Sequence, residues 1–251
     1  MKMTFIGSGA AFTHDNYHSN ILIELGGKKL LIDCGSDARF ALHELGYTHR
    51  DIDAIYISHI HADHVGGLEY IGYSTKFDPG CRKKPELLAH KNILSNLWEH
   101  SLSGGMNTID TQQSTLKTYF QTTPLNYPGN FIWDGINFQL VKTLHVKNSH
   151  TILDSYGLCF TVNGKTVFIT TDTRLLKDDF MPFYEKSHVI FHDCETQIPG
   201  SIVHAHYSEL KELPASIKSK MWLYHYNSDT LPNAALDGFL GFVKKGQKFE
   251  L

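Results

Sequence analysis

Short apolar runs separated by turn residues dominate the first quarter of the chain. Thr4-Phe5-Ile6 is an apolar segment closed by Gly7-Ser8-Gly9, and Asn20 to Leu25 alternates up to Gly26-Gly27. That glycine pair is a hairpin signal, so Lys29 to Asp33 is predicted as the returning strand. Residues 36–46 suit a short helix ended by Gly46. Asp51 to Ser58 then reads as another strand, and Gly66-Gly67 lets a helix start near Leu68. Between 72 and 110 the rhythm changes. Lys76 to Lys84 is polar around Pro79-Gly80, Glu86 to His90 reads as a strand, and Ile93 to Leu102 fits a helix broken by Ser103-Gly104-Gly105-Met106. This stretch is expected to be an insertion, about 72–120, without a core of its own. Strands resume at Asn137 to Thr143, Ser155 to Val162 and Thr166 to Thr170, the last two joined by the type I′ signal Asn163-Gly164. Val189 to His192 and Met221 to Tyr224 read as short buried strands, while Glu209 to Leu213 and Leu236 to Val243 are helical or loop. The pattern predicts one α/β domain over residues 1–251, in two strand-rich halves.

Composition narrows the function classes. A chain of 251 residues with 41% hydrophobic content suits a globular core, and a net charge of −3 offers no basic field for nonspecific nucleic-acid binding. Cys34, Cys81, Cys159 and Cys194 form no C-x-x-C pair and read as reduced thiols of a reducing compartment. The N-terminus carries no secretory pattern, and no apolar run approaches ~18 residues. A cytoplasmic setting is expected, and no membrane span.

The 16 histidines alter the picture because several cluster. His59-Ile60-His61-Ala62-Asp63-His64 packs four ligand-type side chains into six residues at the end of a predicted strand. Imidazole suits zinc and its neighbours, and a carboxylate can serve a second ion or hold a water. His145, Asp172 and His225 each follow a strand, where α/β sheets place functional groups. His150 competes with His145 for the same role. Asp33, also at a strand end, is expected to orient a ligand histidine.

These residues resemble the metallo-β-lactamase superfamily, in the branch containing tRNase Z and related phosphodiesterases. The resemblance covers nearly the whole chain, through Thr4-Phe5-Ile6-Gly7-Ser8-Gly9, Leu31-Ile32-Asp33-Cys34-Gly35, His59 to His64, Thr171-Asp172-Thr173 and Tyr224-His225. It implies an αββα sandwich, two mixed sheets flanked by helices, with two Zn2+ per subunit (Mn2+ or another divalent ion as alternatives). One ion would be held by His59, His61 and His145, the other by Asp63, His64 and His225, with Asp172 bridging. Two such ions, roughly 3.5–4 Å apart, lower the pKa of a bridging water and offset phosphoryl charge. Asp63 would orient the attacking water. His206-Tyr207-Ser208 stands where tRNase Z-like enzymes carry a His-Ser-Thr proton donor, which makes His206 the candidate general acid, Glu195 its orienting partner and His204 its rival.

tRNase Z carries a long arm between the histidine and the bridging aspartate, yet His145 and Asp172 are only 27 residues apart. A tRNA partner therefore loses ground. The segments Leu97-Trp98, Ser103-Gly104-Gly105-Met106, Phe191 to Thr196, Val203 to Tyr207 and Lys220 to Tyr226 resemble the anti-Pycsar enzymes of phages and bacteria. That resemblance implies a homodimer that hydrolyses 3′,5′-cyclic mononucleotides (cAMP, cGMP, cCMP, cUMP) used in immune signalling, in host cytoplasm if phage-encoded. Tyr73, Phe77, Trp98 and Met106, in or beside the insertion, are candidates for stacking on the base. An RNA 3′-end endonuclease, a lactonase or sulfatase, and a nonhydrolytic nucleotide-sequestering protein are the alternatives.

Overall fold

Phe5, Tyr56, Phe191 and Tyr224 come from four strands and meet in one apolar layer. The Phe5 ring lies 5.1 Å from Phe191 and 5.3 Å from Tyr224. Tyr56 stacks 5.6 Å from Phe131, and its hydroxyl donates to the Tyr156 carbonyl at 2.8 Å. Each pair joins a residue of one sheet to a residue of another, so the two sheets pack face to face over a shared core. The computed structural model describes residues 1–81, 83–109, 112–227 and 230–251.

The first sheet runs in the order Lys248–Glu250, Lys2–Gly7, Asn20–Leu25, Lys28–Ile32, Ala54–Ile57, Glu86–His90, Gln121–Leu125. The second runs Gly241–Phe242, Met221–Tyr224, Val189–Asp193, Lys165–Ile169, Ile152–Val162, Ile136–Lys147, Asn130–Trp133. Each joins an antiparallel meander to a block of parallel strands. Residues of the helices Ala38–Glu44 and Leu68–Phe77 extend the first core. A second apolar cluster fills the space between the other sheet and the helix Lys177–Lys186, around Phe168, Phe180 and Tyr184. The layering is the αββα sandwich expected from sequence. No helix among the described residues is long and apolar enough to cross a membrane.

Turn chemistry explains why the meanders were legible. Gly26 and Gly27 (φ 57° and 81°), and Asn163 and Gly164 (φ 48° and 77°), hold the left-handed pairs of type I′ hairpins. Asp134-Gly135 repeats this at φ 45° and 82°, a third such turn that the sequence reading passed over.

Three expectations change. The segment read as an insertion supplies framework: Glu86–His90 pairs in parallel with Ala54–Ile57 on one side and Gln121–Leu125 on the other. Residues 82, 110 and 111 of that segment lie outside the described residues. Gly104-Gly105 does not break its helix, which continues from Lys91–Leu97 through a wide π turn, Trp98–Leu102, into Ser103–Met106. Of the two, Gly105 alone is closely approached: a Cβ on it would stand 3.1 Å from Glu69 of the neighbouring helix, whereas Gly104 faces open space. Finally, 236–243 includes the edge strand Gly241–Phe242, and Lys248–Glu250 pairs with the first strand. Two or three residues are too few for a period to show.

Candidate metal centre

The parallel strands of both sheets end at one edge, and the chain turns sharply as it leaves them. Asp33 (φ 60°), Thr171 (φ 53°) and His225 (φ 62°) all adopt left-handed backbone within two residues of a strand end. Such conformations cost about 1–3 kcal/mol each in non-glycine residues and need surrounding contacts to persist. The Ser58 amide donates to Asp33 Oδ1 at 2.8 Å, and the His225 amide to the Ser8 carbonyl at 2.8 Å. His59 and His61 follow Ala54–Ile57, while Asp63 and His64 sit on the single turn Ala62–Val65. That turn lies so near the loop after Asp33 that a Cβ on Gly35 would come 2.1 Å from the Asp63 carbonyl oxygen. His145 lies inside Ile136–Lys147, beside a register shift between Leu144 and Lys147 that re-aims the strand.

Two groups of side chains result. His59, His61 and His145 form one; Asp63, His64, Asp172 and His225 form the other. The Nε2 atoms of His59 and His145 lie 3.1 and 3.0 Å from Nδ1 of His61. Asp172 Oδ2 is 3.8 Å from Nε2 of both His59 and His145, and 3.2 Å from Nε2 of both His64 and His225. It therefore stands between the groups. Asp63 Oδ2 approaches His64 Nε2 to 3.1 Å.

Proton accounting tests whether this set fits a cation. The Ser58 hydroxyl gives its one proton to Asp33 Oδ2 (2.7 Å), so His59 Nδ1, 3.0 Å from that hydroxyl, must be the donor. His145 Nδ1 donates to the Val203 carbonyl at 2.9 Å. His64 Nδ1 donates to Asp33 Oδ2 at 2.8 Å. Ser19 spends its hydroxyl proton on the Gly9 carbonyl, so His225 Nδ1 donates to Ser19 Oγ at 3.2 Å. Neutral, each of these four rings turns a bare Nε2 lone pair inward, toward two carboxylates and His61. One proton on His61 Nδ1 cannot satisfy two lone pairs, and Asp172 Oδ1 and His225 Nε2 have no hydrogen-bond partner. Burial opposes a charge on His64, yet Asp172, Asp63 and Asp33 pull its pKa well above the usual histidine range. The donor set fits divalent cations, and second hydrogen bonds fix the rings of His59, His64, His145 and His225.

Asp33 does what the sequence reading assigned to it, by accepting from His64. Asp33→Asn keeps a side chain that tolerates left-handed backbone but faces its amide toward donors. Metal affinity should drop about 10–100-fold, read by titration against a competing chelator. An unchanged affinity would remove Asp33 from the support of the site. His150 stays exposed in the turn after the strand, its amide on Asn148, while His145 joins the cluster.

The two candidate proton donors face different surroundings. His206 turns away: it N-caps the turn Tyr207–Leu210, with Nδ1 2.7 Å from Ser208 Oγ and Nε2 3.2 Å from the Gln197 carbonyl. Its amide donates to Glu209 Oε2, which closes a capping box. Glu195 orients neither histidine; its Oε2 accepts from the Ser201 amide at 2.6 Å. His204 faces the cluster instead, with its ring 4.7 Å from that of His145 and 4.9 Å from that of His225. His204 Nδ1 meets Asp193 Oδ2 at 2.8 Å, a partner the sequence reading missed although Asp193, like Asp172, stands at the end of a strand. Burial alone would lower the His204 pKa; the Asp193 charge and hydrogen bond, with Asp172 and Glu195 behind them, push it up to about 9.

A cavity of about 450 Å³ opens over His61, Asp63, His145, Asp172 and His204, and Phe12, His18 and Ser36 also line it. None of the aromatic or thioether candidates reaches it. Met106 is buried in the core, and Trp98 lines a separate groove with Leu94 and Leu116. Tyr73 stacks on Phe77 and donates to the Gly105 carbonyl.

The family model for the anti-Pycsar protein Apyc1 matches residues 1–249. The anti-Pycsar protein Apyc1 of Paenibacillus harenae is 33% identical over 253 residues, spanning 100% of both chains. That of Bacillus phage vB_BveM-Goe7 is 34% identical over 263 residues, covering 100% of this chain and 98% of the phage protein. Among solved structures, the metallo-β-lactamase fold protein YhfI from Bacillus subtilis superposes with a TM-score of 0.74 at 20% identity, over 99% of this chain and 98% of that one. The chain has the metallo-β-lactamase fold and belongs to the anti-Pycsar Apyc1 family.

Proposed function

We propose that this protein is a metal-dependent phosphodiesterase that opens 3′,5′-cyclic mononucleotides to linear nucleoside monophosphates and so counters cyclic-nucleotide immune signalling. The observation that carries the reading is the pairing of a cation-demanding cluster with His204, held by Asp193, on the same cavity. Two divalent cations, zinc or a near neighbour, would activate a water and offset charge on the phosphoryl oxygens.

The chain's own groups supply the rest. Asp172, between the two ligand groups, holds them in register, and Asp63 is placed to orient the attacking water. Asp193 holds His204 by Nδ1 and leaves Nε2 to deliver a proton to the departing ribose oxygen. The family name carried by the relatives, anti-Pycsar protein, points to the same substrate class. The interval between His145 and Asp172 is taken up by Ile152–Val162 and Lys165–Ile169, which leaves no length for an RNA-gripping arm.

Metal-loaded protein incubated separately with cAMP, cGMP, cCMP, cUMP and a precursor tRNA tests the reading by chromatography of the products. Linear monophosphates are expected from the cyclic nucleotides. Cleavage of the tRNA alone would overturn the proposal, as would recovery of intact cyclic nucleotide from a stoichiometric complex.

A further inference from the structure

Phe12 is 87% exposed at the tip of a loop whose base is tied down. The Gly9 amide donates to the Tyr17 carbonyl at 2.9 Å, Ala10 to Tyr226 at 3.0 Å, and Thr13 to Ala10 at 3.0 Å. A phenyl group held out in water forgoes the burial that drives its kind inward. Of the residues around the metal-centre cavity, Phe12 is the one non-histidine aromatic side chain among those described. The cavity lining is therefore mixed in chemistry: His61, Asp63, His145, Asp172 and His204 share it with Ala11, Phe12, His18 and Ser36. His18 is steadied there, with its amide donating to Asp37 Oδ2 at 2.9 Å and its Nδ1 3.3 Å from Asp37 Oδ1.

We infer that Phe12 is the nucleobase contact of the reaction proposed above: with the phosphodiester held at the histidines and aspartates, the base stacks on the exposed Phe12 ring. This rests on the cyclic-nucleotide reading. A π face on an exposed tip makes no hydrogen bond to a base edge, so the contact accepts purine and pyrimidine alike. Ligand sites commonly pair a polar reacting end with an apolar anchoring wall in this way.

Steady-state kinetics on cAMP, cUMP and ribose 3′,5′-cyclic phosphate, which lacks a base, test the assignment. Base–aromatic stacking is worth ~1–3 kcal/mol, so Phe12→Ala should lower the kcat/KM ratio of cAMP to the abasic substrate by about tenfold or more, chiefly through KM. Phe12→Trp should restore the ratio. An unchanged ratio in Phe12→Ala, with wild-type protein turning over cAMP, overturns this inference and leaves the proposed reaction standing. Failure of the wild-type protein to open either substrate overturns both.

Discussion

Asp172→Ala is expected to abolish turnover and strip the protein of its bound cations. Asp172 Oδ2 is the one carboxylate oxygen within 3.8 Å of Nε2 on four histidines, two in each ligand group. Removing it leaves His64 and His225 without the anion between them and uncouples the two groups. A loss of several kcal/mol in transition-state stabilisation corresponds to about a thousandfold in rate. Elemental analysis after dialysis, beside an activity assay, reads both effects. Wild-type-like turnover by a metal-free Asp172→Ala protein would sink the mechanism. His59→Ala should behave the same way.

The second large effect belongs to His204. His204→Ala should slow hydrolysis of a cyclic nucleotide about 10²–10⁴-fold, the usual worth of a general acid. A diester with a p-nitrophenolate leaving group needs no proton on departure and should lose far less. Equal losses on both substrates would make His204 a positioning group instead of a proton donor. His206→Ala, which removes an N-cap away from the cavity, should cost only about 1 kcal/mol of stability. The pH profile gives an independent reading. The competent form of His204 is protonated, so the rate should fall as pH rises through its value of about 9. Asp193→Asn removes the charge that raises it, and the alkaline limb should move to lower pH. A limb that stays in place would detach the profile from this pair.

The metal cluster was legible because its chemistry is local or lies at strand ends. His59, His61, Asp63 and His64 are adjacent in sequence, and His145, Asp172 and His225 follow apolar runs that any reading marks as strands. The choice between His204 and His206 was not legible from alternation, since residues two apart share one side of an extended segment. The deciding signal was Glu209, three residues after His206, which marks a capping box. Asp193 hid for a related reason: a carboxylate ending a strand looks like any turn aspartate until its partner is known. Phe12 lies in a loop without period, so nothing in the pattern sets it beside the stacking candidates of the 72–120 segment. That segment misled because a strand between two parallel neighbours, such as Glu86–His90, carries no alternation to show where it pairs.

The division of the ligands between two sheets has a consequence for biosynthesis. His59 to His64 are made early, and most of the first sheet with them, whereas His225 is made long after them. The first sheet itself waits for Lys248–Glu250, which pairs with Lys2–Thr4 across nearly the full length of the chain. Such non-local pairing cannot form until both strands have been made. The cluster is thus complete only after segments far apart in sequence have been drawn together.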